Sequence, residues 1–197
     1  MSGRRLGLFG GTFDPVHLGH VAVAREAKQV FALDQVLLVP NNRPPHKQVG
    51  PRASYAQRLR MVELACAGEP GLAASRLEEE TGRSYTIETL LKVKQELKTD
   101  DRMFFLIGAD AFAEVGTWYR WREVLLLAEF IVVTRPGHAI VEVPGATAHR
   151  LETMDVPYSS SGIREAMESG REPEGLAAGV RDYIRAHHLY QEAVHHA

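Results

Sequence analysis

The stretch GLFGGTFDPVHLGH, Gly7 to His20, decides how this chain is read. A short apolar run ends in two adjacent glycines, Gly10 and Gly11, and beyond Pro15 two histidines stand three residues apart. Residues 6–9 read as a buried strand and residues 18–30 as the helix after it. The glycines thus follow the strand and lead to the helix, where a backbone bare of side chains lets phosphate oxygens approach its N–H groups. Neither of the commonest phosphate loops is present. There is no G-x-x-x-x-G-K-[ST], and the glycines at 10, 11 and 19 do not spell G-x-G-x-x-G.

His17 and His20, at i and i+3 near a helix start, project from one face toward the same point. Three readings compete: surface or hydrogen-bonded histidines, two ligands of a metal, or two imidazoles serving a phosphate. A zinc site needs further ligands, and the chain has neither an HExxH nor a cysteine pair. Gly19 removes a side chain where a phosphate would approach the helix, which favours the third reading.

Working outward, strands and helices alternate. A second strand over residues 35–39 ends in the Pro/Asn-rich loop PNNRPPHKQVGPRAS. A helix near 55–67, a short strand around 73–77, a helix from about 86 to 97 and the apolar strand MFFLIG come next. Helical material interrupted at Gly116 leads to the strand FIVVTRPG, a weaker strand near 149–152, and two C-terminal helices joined by GREPEG. Apolar strands without polar alternation, separated by helices, predict a parallel sheet covered on both faces. Ligands of such sheets bind beyond the carboxyl ends of the strands.

The 197 residues, 45% of them hydrophobic, suit one globular domain, 1–197, with a full core. With 23 Lys+Arg against 25 Asp+Glu, the net charge of −2 gives no overall drive toward nucleic acid or an anionic membrane, so a small-molecule partner is expected. Cys66 is the single cysteine and shares a helical face with Leu59 and Val62, which predicts a buried structural thiol in a reducing cytoplasm. Arg4 and Arg5 are not followed by an apolar leader, and no apolar run is long enough to span a membrane.

GGTFDPVHLGH resembles the signature of the nucleotidylyltransferase superfamily, and YSSSGIR, Tyr158 to Arg164, resembles that superfamily's C-terminal phosphate-clamping element. PPHK, SYTIETL, IGAD, TWYRW and TRPG are together similar to the bacterial nicotinate mononucleotide adenylyltransferases over nearly the whole chain. The resemblance implies a Rossmann-like nucleotidylyltransferase fold, α/β with a doubly wound, mostly parallel sheet and C-terminal helices. It also implies transfer of AMP from ATP to nicotinate mononucleotide. Such an in-line attack of one anion on another needs charge neutralisation and positioning more than acid–base chemistry.

On this resemblance His17, His20 and Arg164 form the catalytic set, with His20 stabilising the transition state. Gly10, Gly11, Thr12, Gly19, Ser160 and Ser161 serve the ATP phosphates, although Ser159 to Ser161 also read as helix caps. Gly108 lets the ribose approach, Asp110 accepts a ribose hydroxyl or caps a helix, and Arg135 lies on the adenine side. Trp118 is the candidate to stack on the pyridinium, while Trp121 stays open between core and site. Backbone donors near Tyr85 and Thr86 are expected for the ring carboxylate, with Ser84 and Thr86 competing as caps. Asn41, His46 and Lys47 belong to the loop after the second strand, and Lys47 is a candidate to close on a phosphate. Mg²⁺ is implied, carried mainly by the ATP phosphates, with no protein ligand assigned. Homo-oligomerisation is left open. The rival expectations are a related transferase acting on nicotinamide mononucleotide or pantetheine phosphate, and a nucleotide sensor without turnover.

Overall fold

The computed structural model describes residues 3–42, 50–80, 82, 84–153 and 157–191. Its centre is a six-stranded sheet of β1 (Arg5–Gly11), β2 (Gln35–Pro40), β3 (Leu72–Ala74), β4 (Arg102–Gly108), β5 (Glu129–Thr134) and β6 (Ala148–Glu152). The strands run parallel in the order β3-β2-β1-β4-β5-β6. The helices are α1 (Leu18–Val30), α2 (Tyr55–Cys66), α3 (Thr86–Glu96), α4 (Ala109–Ala113), α5 (Trp121–Leu127), α6 (Ser160–Glu168) and α7 (Ala178–Ala186).

The unbroken apolar strands exist because both faces of the sheet are covered. On β4, Phe104 and Leu106 point into one core with Val21 and Ala24 of α1, Met61 and Val62 of α2, and Val180 and Ile184 of α7. Met103, Phe105 and Ile107 point into the other, with Ile87 and Leu90 of α3, Phe112 of α4 and Val124 of α5. Phe104 is fully buried, and its truncation to alanine would cost about 3–5 kcal/mol. The strand order reverses between β1 and β4, which pair along Arg5–Phe9 and Arg102–Leu106. A crevice opens at their carboxyl ends, where doubly wound sheets bind ligands.

Two elements depart from the sequence reading. Strand β1 does not stop at Phe9: Gly10 and Gly11 stay in register with Val39 and Pro40, because β2 continues beside them. Strand β3 is an edge piece of three residues, paired with Val36 to Leu38. The helical stretch after β4 is interrupted at Gly116 as its sequence predicts: it divides into α4, a 3₁₀ turn over Val115–Thr117 and α5, with Arg120 in the left-handed region at φ 53°. Cys66 is buried on α2, and burial pushes its thiol up to about 11, so it stays a protonated core group. No helix among the described residues is long and apolar enough to cross a membrane.

Candidate active site

Three adjoining clefts occupy the carboxyl ends of β1 and β4. The largest, about 700 Å³, is lined by His17, Gly19, His20, Gly108, Asp110 and Arg135. The second, about 480 Å³, is lined by Thr12, Asp14, His20, Arg52, Ser160 and Arg164. The third, about 320 Å³, is lined by Gly10, Asn41, Tyr85, Thr86, Phe105 and Trp118. His20 belongs to the first and second clefts and Gly108 to the first and third, so a long ligand can run through all three. A Cβ on Gly108 would meet nothing within 4 Å, leaving the crevice open above β4.

The two imidazoles meet as their spacing predicts. His17 caps α1 in extended conformation, His20 sits in the first turn, and the ring centroids are 3.7 Å apart. The His17 backbone N–H donates to His20 Nδ1 at 3.2 Å, so in neutral His20 the proton resides on Nε2. Phe9 and Phe13 pack against His20, the latter edge-on with centroids 5.0 Å apart. Burial lowers His17 to about 4; burial and the His17 charge lower His20 to about 3. Both rings are therefore neutral at pH 7 and act as hydrogen-bond donors, not as fixed cations. His17 Nδ1 is buried with no partner among the described residues.

Phe13 adopts φ 49°, a left-handed conformation that costs a bulky residue about 1–3 kcal/mol. Its ring excludes any side chain at Gly11, whose Cβ would lie 2.8 Å from it. Gly11 thereby frees the space that Phe13 needs to pack on His20.

The loop between β1 and α1 is held by groups that sequence reasoning did not single out. The buried Asp14 carboxylate accepts from Arg52 N at 2.8 Å, Ala53 N at 3.1 Å and the Tyr190 hydroxyl at 2.7 Å. Hydrogen bonding to Asp14 and burial push the Tyr190 hydroxyl far above its ordinary range, burial being the larger cause. Arg58, 1% exposed, donates to the carbonyls of Thr12 at 2.6 Å, Ala53 at 3.2 Å and Asn42 at 3.4 Å. Its signal was present: Arg58 lies four residues before Val62 and eight before Cys66, on the apolar stripe of α2. Nothing local marks Tyr190, whose partner is 176 residues away in sequence.

Arg164 donates from Nη1 to Asp14 O at 2.7 Å, which aims its guanidinium into the second cleft. Ser159 is the cap of α6, accepting from Gly162 N at 3.1 Å. The Ser160 hydroxyl lines that cleft and donates to Pro15 O at 2.9 Å. Ser161 is exposed, its hydroxyl 3.3 Å from that of Ser159. Asp110 does not cap α4 and leaves its carboxylate at the first cleft.

In the third cleft, α3 starts after Tyr85, whose side chain makes no capping hydrogen bond, so the N-cap is neither Ser84 nor Thr86. Thr86 and Thr89 of that helix line the cleft with the half-buried Trp118, which stands edge-on to Phe105 at 6.2 Å. Tyr85 and Tyr119 pack with centroids 4.8 Å apart. Trp121 lies outside the cleft, against the core and under the Arg122 guanidinium. Glu78, buried in the cleft wall, accepts from the Thr89 hydroxyl at 2.9 Å and from Asn42 N at 3.1 Å, tying the end of β2 to α3. His46 and Lys47 lie outside the described residues.

No three His, Cys, Asp or Glu side chains gather into a metal cage among the described residues. Of the carboxylates nearest the phosphate-facing groups, Asp14 is occupied by three donors and Asp110 is exposed.

The cytidylyltransferase-like family model matches residues 8–166, a span that holds most of the sheet and the residues lining all three clefts. The chain thus belongs to the cytidylyltransferase-like class. It is 51% identical over 187 residues to a Solibacter usitatus (strain Ellin6076) protein named "Probable nicotinate-nucleotide adenylyltransferase", covering 94% of this chain and 99% of that one. A Thermus thermophilus protein of the same name is 41% identical over 189 residues, covering 95% of this chain and 100% of its own length. The structure of Plasmodium falciparum nicotinic acid mononucleotide adenylyltransferase complexed with NaAD shares the fold, with a TM-score of 0.75 at 18% identity over 95% of this chain and 97% of that one. Within its class the chain belongs to the nicotinate-nucleotide adenylyltransferase family.

Proposed function

We propose that the chain transfers AMP from ATP to nicotinate mononucleotide in NAD biosynthesis, with the substrates divided among the three clefts. The 5′-phosphate oxygen of the acceptor forms a bond to the α-phosphorus of ATP, and the bond from that phosphorus to the pyrophosphate oxygen breaks. The products are nicotinate adenine dinucleotide and pyrophosphate, with no covalent enzyme intermediate. The carrying observation is His20, which lines both the first and second clefts and whose neutral imidazole, accepting at Nδ1, carries its proton on Nε2.

Adenosine takes the first cleft, with Asp110 accepting a ribose hydroxyl and Arg135 on the adenine side. The phosphates lie on the Gly10–Gly11 backbone, Thr12, Gly19, His17 and His20, with Ser160, Ser161 and the Arg164 fork at the far end. Donors aimed at charge that develops during transfer lower the barrier without reorganising. Nicotinate mononucleotide takes the third cleft. Its pyridinium stacks on Trp118, its carboxylate meets the first-turn N–H groups of α3, and Asn41 stands beside the Gly10 end of β1. Nucleotidyltransferases generally use a divalent metal ion. Here Mg²⁺ enters as part of the ATP substrate, held by phosphates and water. A cytoplasmic site of action fits the free thiol of Cys66.

A pyrophosphate-release assay with ATP and, in turn, nicotinate mononucleotide, nicotinamide mononucleotide and pantetheine phosphate tests this reading. Turnover with the first is expected. Preference for either other acceptor reassigns the third cleft, and nucleotide binding without turnover makes the protein a sensor.

A further inference from the structure

The second cleft carries a cation that the division above leaves unused. Among the described residues lining it, Arg52 and Arg164 are the cationic side chains. Arg164 already gives one N–H to Asp14 O. The neighbouring imidazoles are neutral, and the buried Asp14 carboxylate adds negative charge beside the cleft. A triphosphate keeps net negative charge even with the divalent ion it carries, and Arg164 alone among the lining side chains already treated offsets only part of it.

Arg52 is built into the site from its backbone. Its N–H donates to Asp14 Oδ2 at 2.8 Å, which pins the residue beside the β1–α1 loop whatever its side chain does. The guanidinium is about half exposed and pairs with Glu168, at the end of α6, the helix that carries Ser160 and Arg164. An exposed ion pair of this kind contributes little to stability. It does hold a planar five-donor fork at the rim of a polar cleft, opposite a carboxylate that a phosphate can replace.

We propose that Arg52 binds the terminal phosphates of ATP and the departing pyrophosphate, and that Glu168 is its exchange partner, taking the guanidinium back when the product leaves. The proposal rests on the reading that the second cleft holds the phosphates. Exchange limits product retention: a guanidinium with no carboxylate to return to would hold pyrophosphate longer.

Calorimetric titration of the whole protein with inorganic tripolyphosphate and with pyrophosphate at low salt tests both parts. Arg52→Gln retains the backbone bond to Asp14, so the site persists, and it should weaken tripolyphosphate binding about 10-fold or more, the scale of losing a charge-assisted pair. In steady state it should raise KM for ATP more than it lowers kcat. Glu168→Gln removes the competitor and should tighten both ligands several-fold, with stronger product inhibition by pyrophosphate. In Arg52→Gln/Glu168→Gln that gain should vanish, which a merely structural role for Glu168 would not produce.

Unchanged tripolyphosphate affinity in Arg52→Gln overturns the proposal, while loss of binding in Arg164→Ala in the same experiment keeps the phosphate reading intact. Tightening by Glu168→Gln that survives in the double variant overturns the exchange. A wild-type protein that binds neither probe overturns both the proposal and the assignment of the second cleft to phosphates.

Discussion

The paired histidines make the folded protein sensitive to acid in a way that can be calculated. Each imidazole titrates near 6.5 in an unfolded chain, but burial lowers His17 to about 4, and burial together with the His17 charge lowers His20 to about 3. Below pH 6.5 the unfolded state takes up protons that the folded state refuses. The stability tied to the neutral pair is therefore complete above 6.5 and eroded as pH falls toward the folded values. At pH 5 each histidine accounts for a loss of about 2 kcal/mol, and the pair for about 4 kcal/mol, from a total of about 5–15 kcal/mol for a typical protein. His20→Asn deletes one of the two sites and leaves His17, which burial alone lowers. Urea unfolding at pH 7.5 and pH 5 should show the variant losing about 2 kcal/mol less than wild type between the two conditions. An equal loss in both proteins would refute the neutral, buried state of the pair. Phosphate binding should then raise both values, so titration with tripolyphosphate at pH 6 in buffers of different ionisation enthalpy should register proton uptake.

Four further outcomes follow from the same geometry. His20→Ala should lower kcat by about 10² or more with a smaller change in ATP affinity, measured by steady-state kinetics and nucleotide titration. Arg164→Lys keeps the charge but loses the planar fork, so kcat/KM should fall clearly, and full activity would reduce Arg164 to a point charge. Nicotinate mononucleotide should be preferred over its amide analogue by about 10⁴ or more in kcat/KM, and Trp118→Ala should lose efficiency with both while keeping the preference, because stacking treats the two rings alike. Tyr190→Phe takes one donor from the buried Asp14 carboxylate and should cost about 1.5–3 kcal/mol in urea unfolding, whereas an unchanged midpoint would mean that the C-terminal segment is not anchored through that bond.

The starts of α1 and α3 were legible in their apolar periodicity. Helix α1 spans Leu18–Val30, as its pattern predicts, and α3 begins at Thr86. The strand ends were less so, because pairing is a property of two segments. Gly10 and Gly11 look like a loop in isolation and are sheet because β2 runs alongside. The charge state of the histidines was also hidden: their spacing predicts that they converge, but Phe9 and Phe13 and the enclosing fold keep them neutral.

By itself the sequence determined the parallel α/β class, the meeting of His17 with His20, and the family resemblance carried by motifs at both ends of the chain. These are local: a periodicity, a helical spacing, a run of residue types. Only the tertiary structure decided that Asp14 joins the β1–α1 loop to Arg52, Ala53 and Tyr190. It alone turned Arg58 inward onto three carbonyls and brought Arg52 and Glu168 to one rim. These groups meet because the buried sheet fixes where its loops converge, and buried polar groups such as Asp14 and Arg58 are stable there when the fold supplies partners, at any distance along the chain.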